Sequence, residues 1–298
     1  MKKGQASRTA EYMALFRALE STRPGEGHLF EDRFATAFLA LPLRLVAGLS
    51  RLPVAHACIC RYIDHRWPGA RTSAVARTRF IDDQAALALG SGIAQVVLLG
   101  AGFDSRAYRI PGMAQVVVFE VDHPATSRAK RQGVETRLGA VPPHVHFVPI
   151  DFNTERLPET IAAAGFDSRR RTLFIWEGVT NYLTEAAVEA TLRWCAKAAS
   201  GSTIVFTYVH RDVLDRPHAF SGTARLFTTL LASGEGWTFG LDPASLSSFV
   251  AHCGLALERD VGASDYRACY FGGAACEMRG YEFYRIAVAR VPGSPASA

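Results

Sequence analysis

The stretch Val96-Val97-Leu98-Leu99-Gly100-Ala101-Gly102-Phe103-Asp104 constrains this chain more than any other. Four apolar residues in a row describe a strand buried on both faces, as in a parallel sheet covered by helices. Gly100 and Gly102 then allow a tight turn in which no Cβ keeps a ligand from the backbone. A second acidic strand end follows at Phe119-Glu120-Val121-Asp122, with Asp122 twenty positions after Gly102. That spacing suits a carboxylate that accepts from the two hydroxyls of a ribose. Strand, glycine turn and ribose acid read as half of a nucleoside-binding fold.

The same alternation continues along the chain. Strands are predicted at 95–99, 115–121, 145–150, 172–176 and 202–208, separated by helices near 104–110, 124–139, 155–164 and 185–199. Two late strands, 255–261 and 283–289, follow a helix that opens at Asp242-Pro243 and are joined by an aromatic- and glycine-rich link. The pattern implies an α/β fold with a doubly wound, mostly parallel seven-stranded sheet. Ligands in such sheets sit beyond the carboxyl ends of the strands. Gly100–Asp104, Asp122, Asp151, Glu177 and Tyr208–His210 all fall there.

Residues 1–90 precede any good strand and read as a helical cap, part of one domain with the core at 91–290. Its helices are predicted from about Thr9, over 32–49, over 54–66 and over 73–89. In the second, Phe34, Phe38, Leu41 and Leu45 are expected on one side. Residues 210–240 form an insert, 1–9 a frayed leader and 291–298 a flexible tail.

Of the 298 residues, 49% are hydrophobic and 20% charged, enough apolar material for a sizeable core. The net charge of +5 is too mild to point to nucleic acid. Six cysteines form no C-x-x-C, and Cys195 and Cys253 sit in apolar helical patterns as core thiols. His144 and His146 alternate on strand three without a third ligand, so no metal is expected. No run of about twenty apolar residues spans a membrane, and the polar N-terminus carries no secretory signal. A cytoplasmic protein with a small-molecule acceptor, and neither membrane nor nucleic acid as partner, is expected.

A dinucleotide fingerprint would place glycine or alanine where Ser105 stands, so a pyrophosphate is less well served. The turn suits a nucleoside cofactor without phosphate, such as S-adenosylmethionine. Arg77 and the Gly100–Gly102 amides could hold its carboxylate, Asp122 its ribose, and Asp151-Phe152 its adenine. Each has a plainer alternative: Arg77 a surface ion pair, Asp122 a helix cap before Pro124, Asp151 a turn residue. Tyr208 and His210 stand on the right edge for a general base, and Arg211 could grip an acceptor carboxylate. Phe227, Trp237 and Phe239 either line an apolar acceptor cavity or pack the insert on the core.

Four strings make a resemblance specific: Ala76-Arg77-Thr78-Arg79-Phe80-Ile81-Asp82-Asp83, then Leu99 to Arg109, then Phe119-Glu120-Val121-Asp122-His123-Pro124, then Trp176-Glu177-Gly178-Val179-Thr180-Asn181-Tyr182-Leu183. With them the chain resembles the leucine carboxyl methyltransferase and polyketide O-methyltransferase family, from Arg8 to the last strand. The resemblance implies a class I methyltransferase fold. Arg77 would hold the cofactor carboxylate, Gly100, Ala101 and Gly102 would form the loop, and Asp122 would bind ribose. Asp151 and Phe152 would contact adenine, Glu177 would lie near the cofactor's amino group, and Arg17 would match a basic residue of the first helix. Tyr208 would face the acceptor. The implied activity is O-methylation of a carboxyl or hydroxyl group on a small aromatic or polyketide-like molecule. Methylation of a protein C-terminus, or a nicotinamide-dependent oxidoreductase, are the competing readings.

Overall fold

A computed structural model describes residues 8–25, 27–151, 155–220, 223, 226–228 and 236–293. The strands are β1 (Gln95–Leu99), β2 (Val117–Asp122), β3 (Val145–Pro149), β4 (Thr172–Trp176), β5 (Thr203–Val209), β6 (Ala256–Gly262) and β7 (Tyr284–Arg290). They form one seven-stranded sheet in the order β3-β2-β1-β4-β5-β7-β6. β1 to β5 are parallel, whereas β7 runs antiparallel between β5 and β6. Every residue of β1 and β4 is buried, as two covered faces require.

Side chains alternate across the sheet. Val97 and Leu99 enter one core with Phe119, Phe174 and Trp176. Val96 and Leu98 enter the other with Phe80, Ile81 and Ala85. The latter three belong to the fourth helix of the N-terminal set, which is α1 (Arg8–Ser21), α2 (Leu41–Leu49), α3 (Pro53–Arg66) and α4 (Ala70–Gly90). α4 therefore lies on the sheet itself. α1 to α3 build a separate core with Phe103 and Val134. Phe38 stacks on Phe103 with ring centres 5.3 Å apart. Gly133 makes room for it, since a Cβ there would come within 2.9 Å of the Phe38 ring. The cap is stitched to the far edge as well: Thr72 Oγ1 donates to the Arg279 carbonyl, and the Tyr281 amide donates to Ser73 Oγ at 2.7 Å.

The remaining helices are α5 (Arg106–Arg109), α6 (Pro124–Leu138), α7 (Leu157–Ala163), α8 (Glu185–Cys195), α9 (Asp212–Asp215), α10 (Leu246–His252) and α11 (Ala263–Phe271). Thr184 caps α8 as its sequence suggests, accepting from the Ala187 amide at 3.2 Å. Cys195 and Cys253 are buried thiols.

Two expectations change. The aromatic- and glycine-rich link between the late strands, for which no helix is predicted, holds α11 and a 3-10 stretch, Gly272–Glu277. The helix predicted over 32–49 is broken. A 3-10 turn, Ala35–Phe38, ends in extended Leu39 and Ala40, and α2 restarts with Pro42 in its first turn. Proline lacks the N–H that a continuous helix would need there, and it fits a first turn well. The break rotates the chain, so Phe38 is core while Leu41 and Leu45 stand in solvent. Of the leader expected at 1–9, residues 1–7 lie outside the described residues, while Arg8 and Thr9 already belong to α1. Residues 294–298 of the tail and much of the insert between 221 and 235 also lie outside them. Among the described residues no helix is long and apolar enough to cross a membrane.

Candidate active site

The turn after β1 requires its glycines. Gly100 and Gly102 have φ of +65° and +44°, in the left-handed region. A Cβ on Gly100 would also collide with the Val179 side chain. The Ala101 amide donates to the Val121 carbonyl at 2.9 Å, tying the loop to β2. From the end of β2, Asp122 returns the tie. One of its oxygens accepts from the Gly102 amide and the other from the His123 amide at 2.6 Å. Each oxygen retains a lone pair for a further donor. Burial raises the Asp122 carboxyl above its ordinary value, with the two amides pulling against it. His123, not Asp122, caps α6: its Nδ1 accepts from the Ala125 amide at 3.2 Å.

Behind the loop lies an ionic cluster. Arg77 of α4 donates from Nε to Glu177 Oε1 at 2.8 Å, and its guanidinium lies 4.5 Å from the centre of the Tyr284 ring. Glu177, just past β4, accepts on its other oxygen from Arg106 at 2.8 Å. Arg106 is nearly inaccessible and also holds Asp82 at 2.7 Å and Asp104 at 2.6 Å. Arg109 clamps Asp82 from the other side, at 2.6 and 2.8 Å. Burial alone would raise the carboxyls of Glu177 and Asp104. Arg106, aided at Glu177 by Arg77, overrides it and holds both below their ordinary values, Asp104 far below.

Arg17 has a different place from the one expected. Its Nε pairs with Asp32 at 2.8 Å and its terminal nitrogen donates to the Phe103 carbonyl. Ser105 donates to the same Asp32 at 2.6 Å and accepts from Arg109 at 3.0 Å. Through Asp32 and the Phe103 carbonyl, Arg17 braces the glycine turn from behind. Ser105, where a third glycine would stand, is buried in that brace.

The strand order sets the remaining groups in line. Asp151 follows β3, Asp122 ends β2, the glycine turn follows β1, and Glu177 follows β4. Neighbouring strands are roughly 5 Å apart, so these four positions span about 15 Å along the carboxyl edge. A carboxylate after β3, a carboxylate with lone pairs to spare at the end of β2, the glycine turn and an Arg–Glu pair thus follow one another. The Ala101 and Gly102 amides expected to hold a carboxylate are instead bonded to Val121 and Asp122. The Arg–Glu pair is complementary to both ends of an amino-acid zwitterion. Phe152 lies outside the described residues.

The three residues expected to do chemistry are engaged elsewhere. Tyr208 donates to Asp260 at 2.9 Å and accepts from Arg285 at 3.0 Å, which turns its hydroxyl along the sheet toward the β6 edge. Burial, then the Asp260 charge, pushes its phenol well above the ordinary range, so it is a poor base. His210 Nδ1 accepts from the Asp212 amide at 3.1 Å. The neutral ring then carries its proton on Nε2 and presents a donor. Arg211 is half-exposed and pairs with Asp215 one turn later at 3.0 Å, a surface contact. His144 bonds the Ala107 carbonyl through Nε2 at 3.0 Å, and His146 lies against Phe119.

The insert and β7 build an aromatic cluster. Trp237 lies 5.6 Å from Phe227, 5.8 Å from Phe283 and 6.3 Å from Tyr284, ring centre to ring centre. Phe239 is not in it; it packs on Phe249 within the sheet core. Asn181, fully buried, accepts from the Tyr284 hydroxyl at 3.4 Å, while among the described residues neither its Nδ2 nor Trp237 Nε1 has a partner. Tyr284 connects this cluster to Arg77. Asp82, Asp104, Arg106, Asn181 and Tyr284 were not singled out as site residues from the sequence. The first four occur in the motif strings, but nothing local shows that they meet.

The sequence pattern of the leucine carboxyl methyltransferase family matches residues 10–196. A proposed S-adenosyl-L-methionine-dependent methyltransferase of Streptomyces coelicolor is 38% identical over 219 residues, 70% of this chain and 71% of that one. Another from Frankia alni is 35% identical, covering 78% and 80%. Among solved structures, a proposed methyltransferase of Thermobifida fusca superimposes with a TM-score of 0.58 at 15% identity, covering 98% and 97%, which speaks to the fold alone. The donor set described above fits the cofactor of these relatives: Asp122 offers free lone pairs to a diol, and Arg77 and Glu177 offer opposite charges to an amino-acid end. Pattern, relatives and geometry agree that the chain belongs to the leucine carboxyl methyltransferase family and is an S-adenosylmethionine-dependent methyltransferase.

Proposed function

We propose that the enzyme methylates an oxygen of a small aromatic or polyketide-like acceptor, a carboxylate in preference to a neutral hydroxyl. One observation carries this reading: two buried N–H donors without partners among the described residues, Asn181 Nδ2 and Trp237 Nε1, sit at an aromatic cluster joined through Tyr284 to the Arg77–Glu177 pair. Unpartnered buried donors are costly in a folded protein unless a ligand completes them. Aromatic walls with two free donors suit a flat molecule that carries a carboxylate or carbonyl oxygen.

In this reading Arg77 and Glu177 orient the amino-acid end of the cofactor, Asp122 its ribose, and Asp151 with Phe152 its adenine. When bound, S-adenosylmethionine supplies a methyl group on a positively charged sulfur that departs as a neutral thioether. Asn181 and Trp237 hold the acceptor, and the aromatic walls keep water from it, so positioning supplies much of the rate. A carboxylate needs no proton removed, whereas a phenol gains from a base. Tyr208 and His210 are committed to other partners, which favours the carboxylate.

Labelled-methyl transfer decides between the options. The enzyme is offered matched pairs of aromatic carboxylic acids and phenols, and separately peptides with a free C-terminal leucine. The expected product is a base-labile methyl ester of an aromatic acid, formed at a rate that stays level above the acid's own pKa. Transfer to phenols alone, with a rate that climbs as the phenol ionises, would overturn the preference for carboxylate. Ester formation confined to the peptides would move the activity to protein C-termini.

A further inference from the structure

We propose that the outer face of α2, with the groove beside it, docks this enzyme on an anionic lipid surface. The proposal stands apart from the choice of acceptor.

α2 presents its apolar side outward. Leu41, Leu45 and Leu49, each four residues after the last, are more than half exposed, as are Leu52 and Val54 beyond the helix end, within a range of 57 to 78%. Four residues advance a helix by a turn and about a ninth, so the three leucines make one stripe. The helix is anchored by its other side, where Ala47 and the closing Ser50 are buried. A contiguous exposed apolar face of this kind marks an interaction surface.

Charge says which surface. No Asp or Glu occurs between Asp32 and Asp64, while Arg33, Arg44, Arg51 and Arg61 do. Arg44 falls three residues after Leu41, on the flank of the stripe, and Arg51 follows Leu49. Both line a groove of ≈ 980 Å³ between the cap and α6, together with Arg33 and Arg137. The acidic residues in that groove are already held: Glu31 by Arg33 at 2.8 Å, and Asp32 by Arg17 and Ser105. Arg44 donates to the Leu39 carbonyl, and Arg51 and Arg137 pair with no carboxylate among the described residues. Apolar side chains flanked by unmatched arginines are the composition of a helix that lies in a bilayer interface. The leucines enter the acyl boundary, and the groove receives a lipid phosphate, which arginine binds in a fork. A second copy is disfavoured, because a two-fold interface would set the same arginines against each other. No spanning segment is required, so the expectation that no membrane is involved is revised only for its surface.

Flotation with vesicles tests this. The full chain is mixed with vesicles of phosphatidylcholine alone, or with roughly a third phosphatidylglycerol, at low and high salt. Binding is expected to the anionic vesicles only, and weaker at high salt, since each arginine near such a surface contributes roughly fivefold. The double variant L45E/L49E should lose binding, and R51A/R137A should weaken it about thirtyfold. All four positions are exposed, so thermal unfolding should be unchanged, which separates lost docking from lost fold. Absence of binding to anionic vesicles, or equal binding by L45E/L49E, would overturn the proposal. So would a wild-type dimer in light scattering that L45E/L49E converts to monomer, because the face would then belong to a second copy.

Discussion

Arg106 shows how the site is held. Its guanidinium is buried against Asp82, Asp104 and Glu177, and no single separation in sequence reveals that it gathers all three. Breaking a buried ion pair by removing one partner typically costs about 3–5 kcal/mol. Arg106→Met should lower stability by that order in urea denaturation, because three carboxylates lose their common partner. Arg77 and Asp122 make a different prediction. Their neighbours keep other partners, since Glu177 retains Arg106 and the Gly102 amide can turn to solvent. Arg77→Ala and Asp122→Ala should therefore leave most of the stability intact. Each should weaken S-adenosylmethionine binding by roughly ten- to a hundredfold, the worth of a hydrogen bond to a charged group. Calorimetric titration reads this directly, and unaltered affinity in both variants would remove the assigned site. Arg77, Asp122 and Glu177 were legible in the sequence because each follows a recognisable strand or motif. Tyr208, His210 and Arg211 were legible as positions only. Their hydrogen bonds to Asp260, Asp212 and Asp215 decide what they can do.

At the scale of elements, the loop between β1 and α5 is the most demanding piece of backbone. Gly100→Ala meets two penalties. A left-handed backbone costs a residue with a Cβ about 1–2 kcal/mol. The new methyl also strikes Val179. The single variant should unfold at lower urea than the wild type and bind the cofactor less tightly. Adding Val179→Ala should recover the steric part and leave the backbone part; a double variant no better than the single would show that the collision is not what matters. α2 illustrates the opposite case. Periodicity across 32–49 puts Phe34, Phe38, Leu41 and Leu45 on one side, but periodicity holds only while the helix is unbroken. Two extended residues before Pro42 separate the aromatic pair from the leucines and send the latter into solvent. α11 was missed for a related reason, since its glycine- and aromatic-rich flanks mask nine helical residues.

Across the whole molecule, the arginine-held carboxyls tie stability to pH. Burial alone would raise Asp32, Asp104 and Glu177, but their arginines hold all three below ordinary values. The unfolded chain takes up protons near pH 4, which the folded protein does so only at lower pH. The stability these groups supply is therefore complete above about pH 5 and is lost as pH falls through the lowered values. Glu120 acts in the other sense: burial raises it to about 6 despite Lys130, so the folded form holds a proton longer and its contribution fades as pH rises toward 6. Asp122, also raised by burial, acts in the same sense as Glu120, so three groups against two predict that the urea midpoint climbs between pH 3 and 5. Arg106→Met should flatten that climb, because it frees Asp104 and Glu177; an unchanged slope would show that the cluster is not its source. The sequence by itself determined that β1 is buried, that a glycine turn follows it, that acids end the next strands, and that helices and strands alternate. Those properties are local, written in runs of a few residues and in the backbone freedom of glycine. Only the tertiary structure decided that the strand-end acids line up along one sheet edge, that Arg106 gathers Asp82, Asp104 and Glu177, and that the leucines of α2 face outward. Packing a helix on the sheet joins residues a hundred positions apart, as with Arg77 and Glu177, and no local pattern carries that information.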